Sequence, residues 1–362
     1  MRLACLTRYG SLGASSRVRF MQYFDPLSRV AETELSIEQQ ALLDDVYLTR
    51  KYVGRAVLST SLRCYAQRAL SPTLRKPPDV WWVEKELWPY VPAMVERALL
   101  CRRPYVLDLD DAIFHNYDLH PSRAVRNLFG RKIDRLMRGA ALVTVGNEYL
   151  AARARSAGAP WVELLPTVID LDRYPTPNRV AAPTGAAVTT IGWIGSPATS
   201  HYLQQLARPL QHLARERRLR LLVVGGGDVR LPGVEIESVP WSPTSEVDSI
   251  SRFDIGVMPL PDSPWERGKC GYKLIQYMAC GVPVVASPVG VNRVIVSDGV
   301  NGFLATDESD WYDTLRRLAV DTALSKRLGA AGRQRAESEY CVQVTAPRLA
   351  RWLQIVASQR GR

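Results

Sequence analysis

Two lysines four residues apart, Lys269 and Lys273, stand beside glycines at the start of a predicted helix, 272–278. A helix N-terminus presents unpaired N–H donors and the positive end of a dipole, so it attracts anions. Two ammonium groups there would add positive charge without a metal ion. The pair suits a group that gains negative charge during a reaction, such as a departing diphosphate; the alternative is two surface lysines at a helix end.

Two glycine-containing loops have the composition of phosphate-binding turns. Gly195 and Ser196 follow one apolar run, and Gly13 follows the first run of the chain. A close approach of the backbone allows N–H groups to face a phosphate, although a simple tight turn would have the same composition. Arg17 and Arg19 lie just after Gly13, where they would reach a phosphate, an acceptor or only solvent.

Carboxylates and an aromatic ring follow other apolar runs. Asp108, Asp110 and Asp111 end one of them. Such a group would suit magnesium or manganese. Because the two lysines already supply positive charge, we predict no metal site. Trp241 follows another run, where its ring would stack on a nucleobase or pack in a core.

The elements that must position these residues are short apolar runs alternating with helical patterns. This alternation predicts parallel sheets with crossover helices. The predicted strands are 1–7, Val80–Glu84, Tyr105–Leu109 and Leu142–Val145, then 190–194, Leu219–Val224, 234–239, Ile255–Met258 and 282–286.

A proline-bearing segment, 170–183, interrupts the alternation and has the composition of a linker. A chain of 362 residues is long enough for two cores. We therefore predict an α/β protein with two Rossmann-like domains facing a central cleft. The predicted domains are 1–175 and 176–340, and a helix in 341–362 is expected to pack back on the first.

Charge and cysteine usage limit the class of protein. The net charge of +11 is spread evenly, with 25 basic and 19 acidic side chains up to Pro175 and 22 and 17 after it, so we predict no nucleic-acid partner. The densest basic run, 123–138, is predicted as one helix with either a solvated face or a contact with an anionic membrane surface. The six scattered cysteines indicate neither a zinc site nor a disulfide framework.

No apolar run is long enough for a signal peptide or a membrane span. We therefore predict a cytoplasmic protein. Peripheral contact at the inner face of the membrane is left open.

Several motifs in order carry a family resemblance. The segment 254–304 contains Gly268-Lys269-Cys270-Gly271-Tyr272-Lys273, Gly281-Val282-Pro283 and Pro288-Val289-Gly290. It resembles the donor-binding half of the retaining GT-B glycosyltransferases called group 1 or family 4. The first half is similar to a subgroup of bacterial surface-polysaccharide enzymes, on Gly13-Ala14-Ser15-Ser16-Arg17, Asp108-Leu109-Asp110-Asp111 and Gly146-Asn147-Glu148.

The resemblance implies retaining, metal-independent transfer of a sugar from a nucleotide diphosphate-sugar to a glycan or lipid-linked glycan. The nucleotide-sugar is a co-substrate, and no other cofactor is expected. The implied catalytic residues are Asp110, Asp111 and Lys269, and the implied acceptor residue is Arg17. His115, a few residues beyond Asp111, would either line the cleft as a second acceptor residue or be a structural histidine. The implied donor residues are Gly13, Gly195, Ser196, Trp241, Lys269, Lys273, Gln276, Val289 and Gly290.

The sequence departs from the family pattern at two places. A histidine followed by an aspartate is common where Asp110 and Asp111 stand, and Asp110 would then face the reacting sugar as a hydrogen-bond acceptor or a charge stabiliser. Two glutamates are common where Gly268 and Gln276 stand, so recognition of the sugar must differ. Two alternatives remain. One is a nucleotide-sugar epimerase on the same architecture, and the other, suggested by the missing glutamates, is a nucleotide-sugar-binding protein without catalysis.

Overall fold

The computed structural model describes residues 1–31, 34–52, 54–175 and 188–359. The chain divides into two compact units, each discontinuous in sequence. The first comprises Met1–Val168, Arg267–Cys270 and Val342–Arg362, and the second comprises Ile169–Glu266 and Gly271–Cys341. The predicted linker, 170–183, lies outside the described residues from residue 176 onward.

The first unit is built on a parallel six-stranded sheet with the order β2-β1-β3-β4-β5-β6. Its strands are β1 (Arg2–Tyr9), β2 (Ser36–Leu43), β3 (Val80–Glu84), β4 (Tyr105–Leu109), β5 (Leu142–Val145) and β6 (Val162–Leu164). The central strands β3 and β4 are buried along their whole length, which explains their continuous apolar sequence. The strand order reverses between β1 and β3, so ligands are expected at the carboxyl ends of these strands.

Helices and their loops cover the first sheet. They are α1 (Ala14–Arg19), α2 (Phe24–Val30), α3 (Asp45–Tyr52), α4 (Leu58–Ala69), α5 (Pro72–Arg75), α6 (Ala93–Leu100), α7 (His115–Asp118), α8 (Arg123–Phe129), α9 (Lys132–Gly139) and α10 (Glu148–Ser156), with a 3-10 turn at Met21–Tyr23.

The basic run 123–138 forms two helices, α8 and α9, so the prediction of one continuous helix is wrong. Gly130 separates them. A Cβ atom at this glycine would lie 2.3 Å from the carbonyl oxygen of Arg126, so the chain turns where no side chain is present. Phe129, Ile133 and Met137 are buried, and they anchor the two helices.

The second unit contains another parallel six-stranded sheet, with the order β12-β11-β10-β7-β8-β9. Its strands are β7 (Thr189–Ile194), β8 (Leu219–Val224), β9 (Glu235–Val239), β10 (Ile255–Met258), β11 (Val284–Ala286) and β12 (Gly302–Leu304). Read in the opposite direction, this is the strand order of the dinucleotide-binding Rossmann fold, whose switch point here lies between β7 and β10. The predicted α/β class with two Rossmann-like domains is confirmed.

The second unit contains α11 (Ala207–Glu216), α12 (Glu246–Ser251), α14 (Tyr272–Ala279), α15 (Asn292–Ile295), α16 (Glu308–Val320) and α17 (Thr322–Glu339), with 3-10 segments at Leu171–Arg173 and Pro197–Leu206. The short α13 (Pro264–Arg267) ends at the first residue of the segment assigned to the first unit. The last helix, α18 (Val342–Ser358), packs on α2, β3 and β4 of the first unit, and its Leu349 and Leu353 are buried. Among the described residues, no helix has both the length and the apolar character needed to cross a bilayer.

Candidate functional site

A cluster of alternating charges lies at the carboxyl ends of β3 and β4 in the first unit. The Asp110 carboxylate lies 2.9 Å from the Lys85 ammonium and accepts a 2.5 Å hydrogen bond from the Ser15 hydroxyl. The same Lys85 Nζ lies 3.6 Å from Asp111, whose other oxygen lies 3.0 Å from Lys269 Nζ. The predicted catalytic residues Asp110, Asp111 and Lys269 are thus brought together, in a cluster of two carboxylates and two ammonium groups.

Lys85, which the sequence analysis missed, is held in an unusual backbone conformation. It follows β3 directly, and its φ of 66° lies in the left-handed region that non-glycine residues seldom adopt. Its side chain is 9 % exposed. Such a conformation costs free energy of order 1–3 kcal/mol, and it is found most often where function requires a fixed side chain. The ammonium is therefore held against the carboxylates by the fold.

The segment that carries Lys269 is fixed within the first unit. The side-chain amide of Asn147 donates hydrogen bonds to the carbonyl oxygens of Gly268 and Lys269, at 2.9 and 3.0 Å. A Cβ atom at Gly268 would lie 2.5 Å from the Cβ of Ala112, so the glycine permits this close approach. Gly268 stands where the family commonly has a glutamate, and its close contact with Ala112 leaves no space for a side chain at this position. The predicted clamp of Lys269 with Lys273 stays a prediction.

The charges of this cluster reinforce one another. Burial alone would raise the pKa of Asp110. The positive charges of Lys85 and Arg19 outweigh that effect and hold the pKa of Asp110 below its ordinary value. Burial disfavours the charged form of Lys85, yet the neighbouring aspartates raise its pKa above the ordinary value. Asp110 and Lys85 are therefore both ionised near neutral pH.

Arg19 is fully buried, so its predicted contact with a phosphate, an acceptor or solvent is wrong. Its guanidinium binds Asp108 through two hydrogen bonds of 2.6 and 2.9 Å and donates to the carbonyl oxygen of Leu165 at 2.7 Å. Thr144 donates to the same carboxylate at 2.6 Å. Asp108 is therefore a structural partner of Arg19 beneath the cluster.

We expect the Arg19→Met variant to lose about 3–5 kcal/mol of unfolding free energy, because the Asp108 carboxyl group would remain buried without its partner. Urea denaturation of the purified protein measures the loss. The matched control is Arg63→Met, since Arg63 pairs with Asp44 on the surface; exposed pairs contribute roughly 0–1 kcal/mol. Equal losses in the two variants would contradict a special role for the buried pair.

The other predicted residues of the first unit are placed around the cluster. Gly13 precedes α1, where a Cβ atom would lie 2.2 Å from the Cβ of Tyr9. Arg17 is half-buried and donates to the carbonyl oxygen of Ser11 at 3.2 Å. Both ring nitrogens of His115 lie 2.8 Å from partners, Asp118 and Tyr149. These bonds favour a structural role for His115, and its acceptor contact stays a prediction.

In the second unit, three of the predicted donor residues meet at the carboxyl edge of the sheet. The Lys273 ammonium lies 5.2 Å from the centre of the Trp193 ring. A Cβ atom at Gly195 would lie 2.4 Å from that ring and 3.0 Å from Lys273 Cε. A Cβ atom at Gly225 would contact both the carbonyl oxygen of Gly195 and the Cβ of Trp241, at 2.6 and 2.8 Å. The loops after β7, β8 and β9 therefore converge at the first turn of α14, where Lys273 lies, and Ser196 follows Gly195 there.

A hydrogen-bonded chain links two other predicted donor residues. The Trp241 indole donates to Glu246 at 2.8 Å, and the Tyr174 hydroxyl lies 3.1 Å from the other oxygen of that carboxylate. The Gln276 amide donates to the Tyr174 hydroxyl at 3.1 Å. Glu246 and Tyr174 were missed because they are distant in sequence and lie outside the family motifs. Gln276 is buried, and its predicted contact with a ribose stays a prediction.

The loop that contains Val289 and Gly290 lies against the start of α14. Gly290 has a φ of 52°, which suits glycine. Val291, the next residue, is 3.2 Å from the position of a Cβ at Gly271, which precedes α14 with a φ of 65°. Within the described residues, no group of three or more His, Cys, Asp or Glu side chains is arranged to hold a metal ion.

Residues 188–321 match the family model described as Glycosyl transferases group 1. D-inositol 3-phosphate glycosyltransferase of Xylanimonas cellulosilytica is 28 % identical over 203 residues, which cover 48 % of this chain and 46 % of the relative. The protein of the same name from Saccharomonospora viridis is 33 % identical over 217 residues, with 53 % and 50 % covered. The chain thus spans about half the length of these curated relatives.

Solved structures match over nearly the whole chain. Anabaena HepE in complex with UDP and glucose has a TM-score of 0.66 at 16 % identity, covering 98 % of this chain and all of that one. Sucrose-phosphate synthase from Thermosynechococcus elongatus has a TM-score of 0.70 at 15 % identity, covering 99 % and 100 %. The fold is therefore GT-B.

The chain thus has the GT-B fold, and its residues 188–321 resemble the group 1 glycosyl transferases. The matched range, 188–321, lies in the second unit except for Arg267–Cys270, which belong to the first. The epimerase and the binding protein without catalysis are not favoured by these likenesses.

Proposed function

We propose that the protein transfers a sugar from a nucleotide diphosphate-sugar to a glycan or lipid-linked glycan, with retention of configuration and without a metal ion. The observation that carries the proposal is the meeting of Gly195, Lys273 and Trp241 at the carboxyl edge of the second sheet. This place is where parallel sheets bind ligands.

The second unit supplies the chemistry that a diphosphate leaving group needs. Its negative charge grows as the glycosidic bond breaks, so fixed positive charge and N–H donors lower the barrier. Lys273 lies in the first turn of α14, whose N-terminus adds unpaired N–H groups. The loop at Gly195 and Ser196 brings its backbone to the same edge, and the Trp241 ring is the candidate surface for the base.

The first unit supplies an ionised carboxylate for the sugar. An oxocarbenium-like transition state carries positive charge at the anomeric carbon, which a nearby carboxylate stabilises. Asp110 is the residue that we assign to this role, since its pKa is held low and its orientation is fixed by Ser15 and Lys85. Asp111 and Lys269 complete the charged surface beside it.

For the acceptor, we propose a glycan of the bacterial cell surface, assembled in the cytoplasm at the inner face of the membrane. The motifs of the first half support this assignment, since they are similar to those of surface-polysaccharide enzymes. The relatives named D-inositol 3-phosphate glycosyltransferase favour a second candidate, a small acceptor that carries a phosphate group.

Calorimetric titration with UDP, GDP, dTDP and ADP, each with and without EDTA, tests the donor assignment. We expect one nucleotide to bind in both conditions. Lys273→Ala should weaken this binding by a factor of about 10–100, because hydrogen bonds to charged groups contribute about 1.5–3 kcal/mol. Lys326→Ala, which removes an exposed lysine of α17, should change it less than about twofold.

Two results of that titration would overturn the proposal. Binding that disappears with EDTA would mean that a divalent ion, and not Lys273 with the helix N-terminus, neutralises the diphosphate. Failure of all four nucleotides to bind would remove the donor site itself.

A further inference from the structure

A cavity of about 740 Å³ lies among α8, α9 and α10 of the first unit. Its volume is in the range of roughly 300–1,000 Å³ that small-molecule sites have. The walls are rich in arginine: Arg126 comes from α8, Arg131 from the turn that follows, Arg135 and Arg138 from α9 and Arg153 from α10. We call this the arginine cavity.

The carboxylates of the cavity neutralise only one of its five arginines. Asp118 and Asp134 both line it, and both bind Arg153, at 3.0 and 2.8 Å. The Arg126 guanidinium donates to the carbonyl oxygens of His120 and Pro121. Such backbone oxygens satisfy its hydrogen bonds without cancelling its charge.

The other three guanidiniums also keep their charge uncompensated. Arg138 donates to the carbonyl oxygen of Ala157 at 3.0 Å. The side chains of Arg131 and Arg135 are exposed, and they form no hydrogen bond or ion pair with any residue that the structure describes. Five arginines and two carboxylates give the cavity a net formal charge of +3, and an anion placed among the four guanidiniums without a carboxylate partner would relieve their repulsion.

We propose that the arginine cavity binds a phosphate-bearing ligand. Guanidinium groups present parallel N–H donors that match phosphate oxygens in pairs, which makes arginine the residue suited to this anion. The phosphate belongs to a lipid headgroup or to a free phosphorylated compound. The site is separate from the Asp110 cluster and does not depend on sugar transfer.

The test compares the wild type with the Arg131→Ala/Arg135→Ala variant in two assays. One is calorimetry with inorganic pyrophosphate, and the other is sedimentation with vesicles of phosphatidylcholine alone or mixed equally with phosphatidylglycerol. The matched control is Arg102→Ala/Arg103→Ala, which removes two exposed arginines from the same unit. Because pyrophosphate also suits the donor site, the number of binding sites is fitted together with Kd.

We expect the wild type to show one more pyrophosphate site than the variant, or at least tenfold stronger binding to the anionic vesicles, with the control unchanged. If the alanine variant loses binding of pyrophosphate alone, the phosphate belongs to a free phosphorylated compound. If it loses binding to the anionic vesicles alone, the phosphate belongs to a lipid headgroup. Equal losses in the variant and the control, or binding of neither probe by the wild type, would overturn the proposal.

A conservative double variant controls for a folding defect. Arg131→Lys/Arg135→Lys keeps the positive charge but removes the paired N–H donors, so we expect binding between that of the wild type and that of the alanine variant. Wild-type binding by the lysine pair would contradict recognition by guanidinium forks and leave only diffuse attraction between charges.

Discussion

Replacing Asp110 with asparagine is expected to lower kcat for sugar transfer by a factor of about 10²–10³, the usual effect of removing one fixed electrostatic group. Asparagine keeps the shape and removes the negative charge that would face the anomeric carbon. The dissociation constant of the nucleotide should change less than about twofold, since the donor contacts that we propose lie in the second unit. Single-turnover assays with the donor found by calorimetry would separate the two quantities.

A matched substitution controls for the loss of one carboxylate charge. Asp313 lies on the exposed face of α16, and its change to asparagine should leave both kcat and the dissociation constant unaltered. If Asp110→Asn retained full kcat while Asp313→Asn also did, Asp110 would have no part in stabilising the transition state. A rise in the nucleotide dissociation constant without a change in kcat would instead assign Asp110 to donor binding.

The sequence predicts the central strands of the two sheets but misses several strands at their edges. The central strands β3, β4, β5, β8 and β10 were predicted with their observed bounds, because strands buried on both faces have uninterrupted apolar runs. The three missed strands, β2, β6 and β12, all lie at sheet edges. The exposed polar residues of β2 and the three-residue lengths of β6 and β12 leave too little apolar pattern to recognise.

The candidate site was predictable where residue type and local position sufficed. Gly195 and Lys273 were found because a glycine loop and a helix start are local features. Glu246 and Tyr174 were missed, since their contact joins positions 72 residues apart. Arg19 was assigned wrongly because one sequence does not distinguish an exposed arginine from one that is buried against a carboxylate 89 residues away.

Lys85 could have been found from its position. It is a charged residue directly after a fully buried strand, which is where parallel sheets place functional groups. Asp110 and Asp111 hold the same position after β4, and they were predicted as site residues, whereas Lys85 after β3 was not. What no sequence pattern would have shown is the left-handed backbone that directs the ammonium toward Asp110.

The Lys85→Met variant is expected to lose sugar-transfer activity at acidic pH values at which the wild type is still active. The positive charge of Lys85 lowers the pKa of Asp110 against the opposing effect of burial. Without it the pKa of Asp110 rises, so the carboxylate becomes protonated at a higher pH and the acidic limb of the kcat profile moves upward. Because one pKa unit corresponds to about 1.4 kcal/mol, even a modest loss of attraction gives a measurable shift. A pH profile of kcat under saturating donor reports it.

Two further variants separate this electrostatic role from general damage. Lys85→Arg retains the charge and should keep the acidic limb close to that of the wild type, even if the strained backbone reduces its activity. Lys76→Met removes an exposed lysine and should leave the profile unchanged. An acidic limb that stays in place in Lys85→Met, with kcat lowered equally at every pH, would show that Lys85 orients the cluster without controlling the charge of Asp110. A shift in Lys85→Met that Lys85→Arg reverses would instead mean that the strained lysine keeps Asp110 ionised for the reaction.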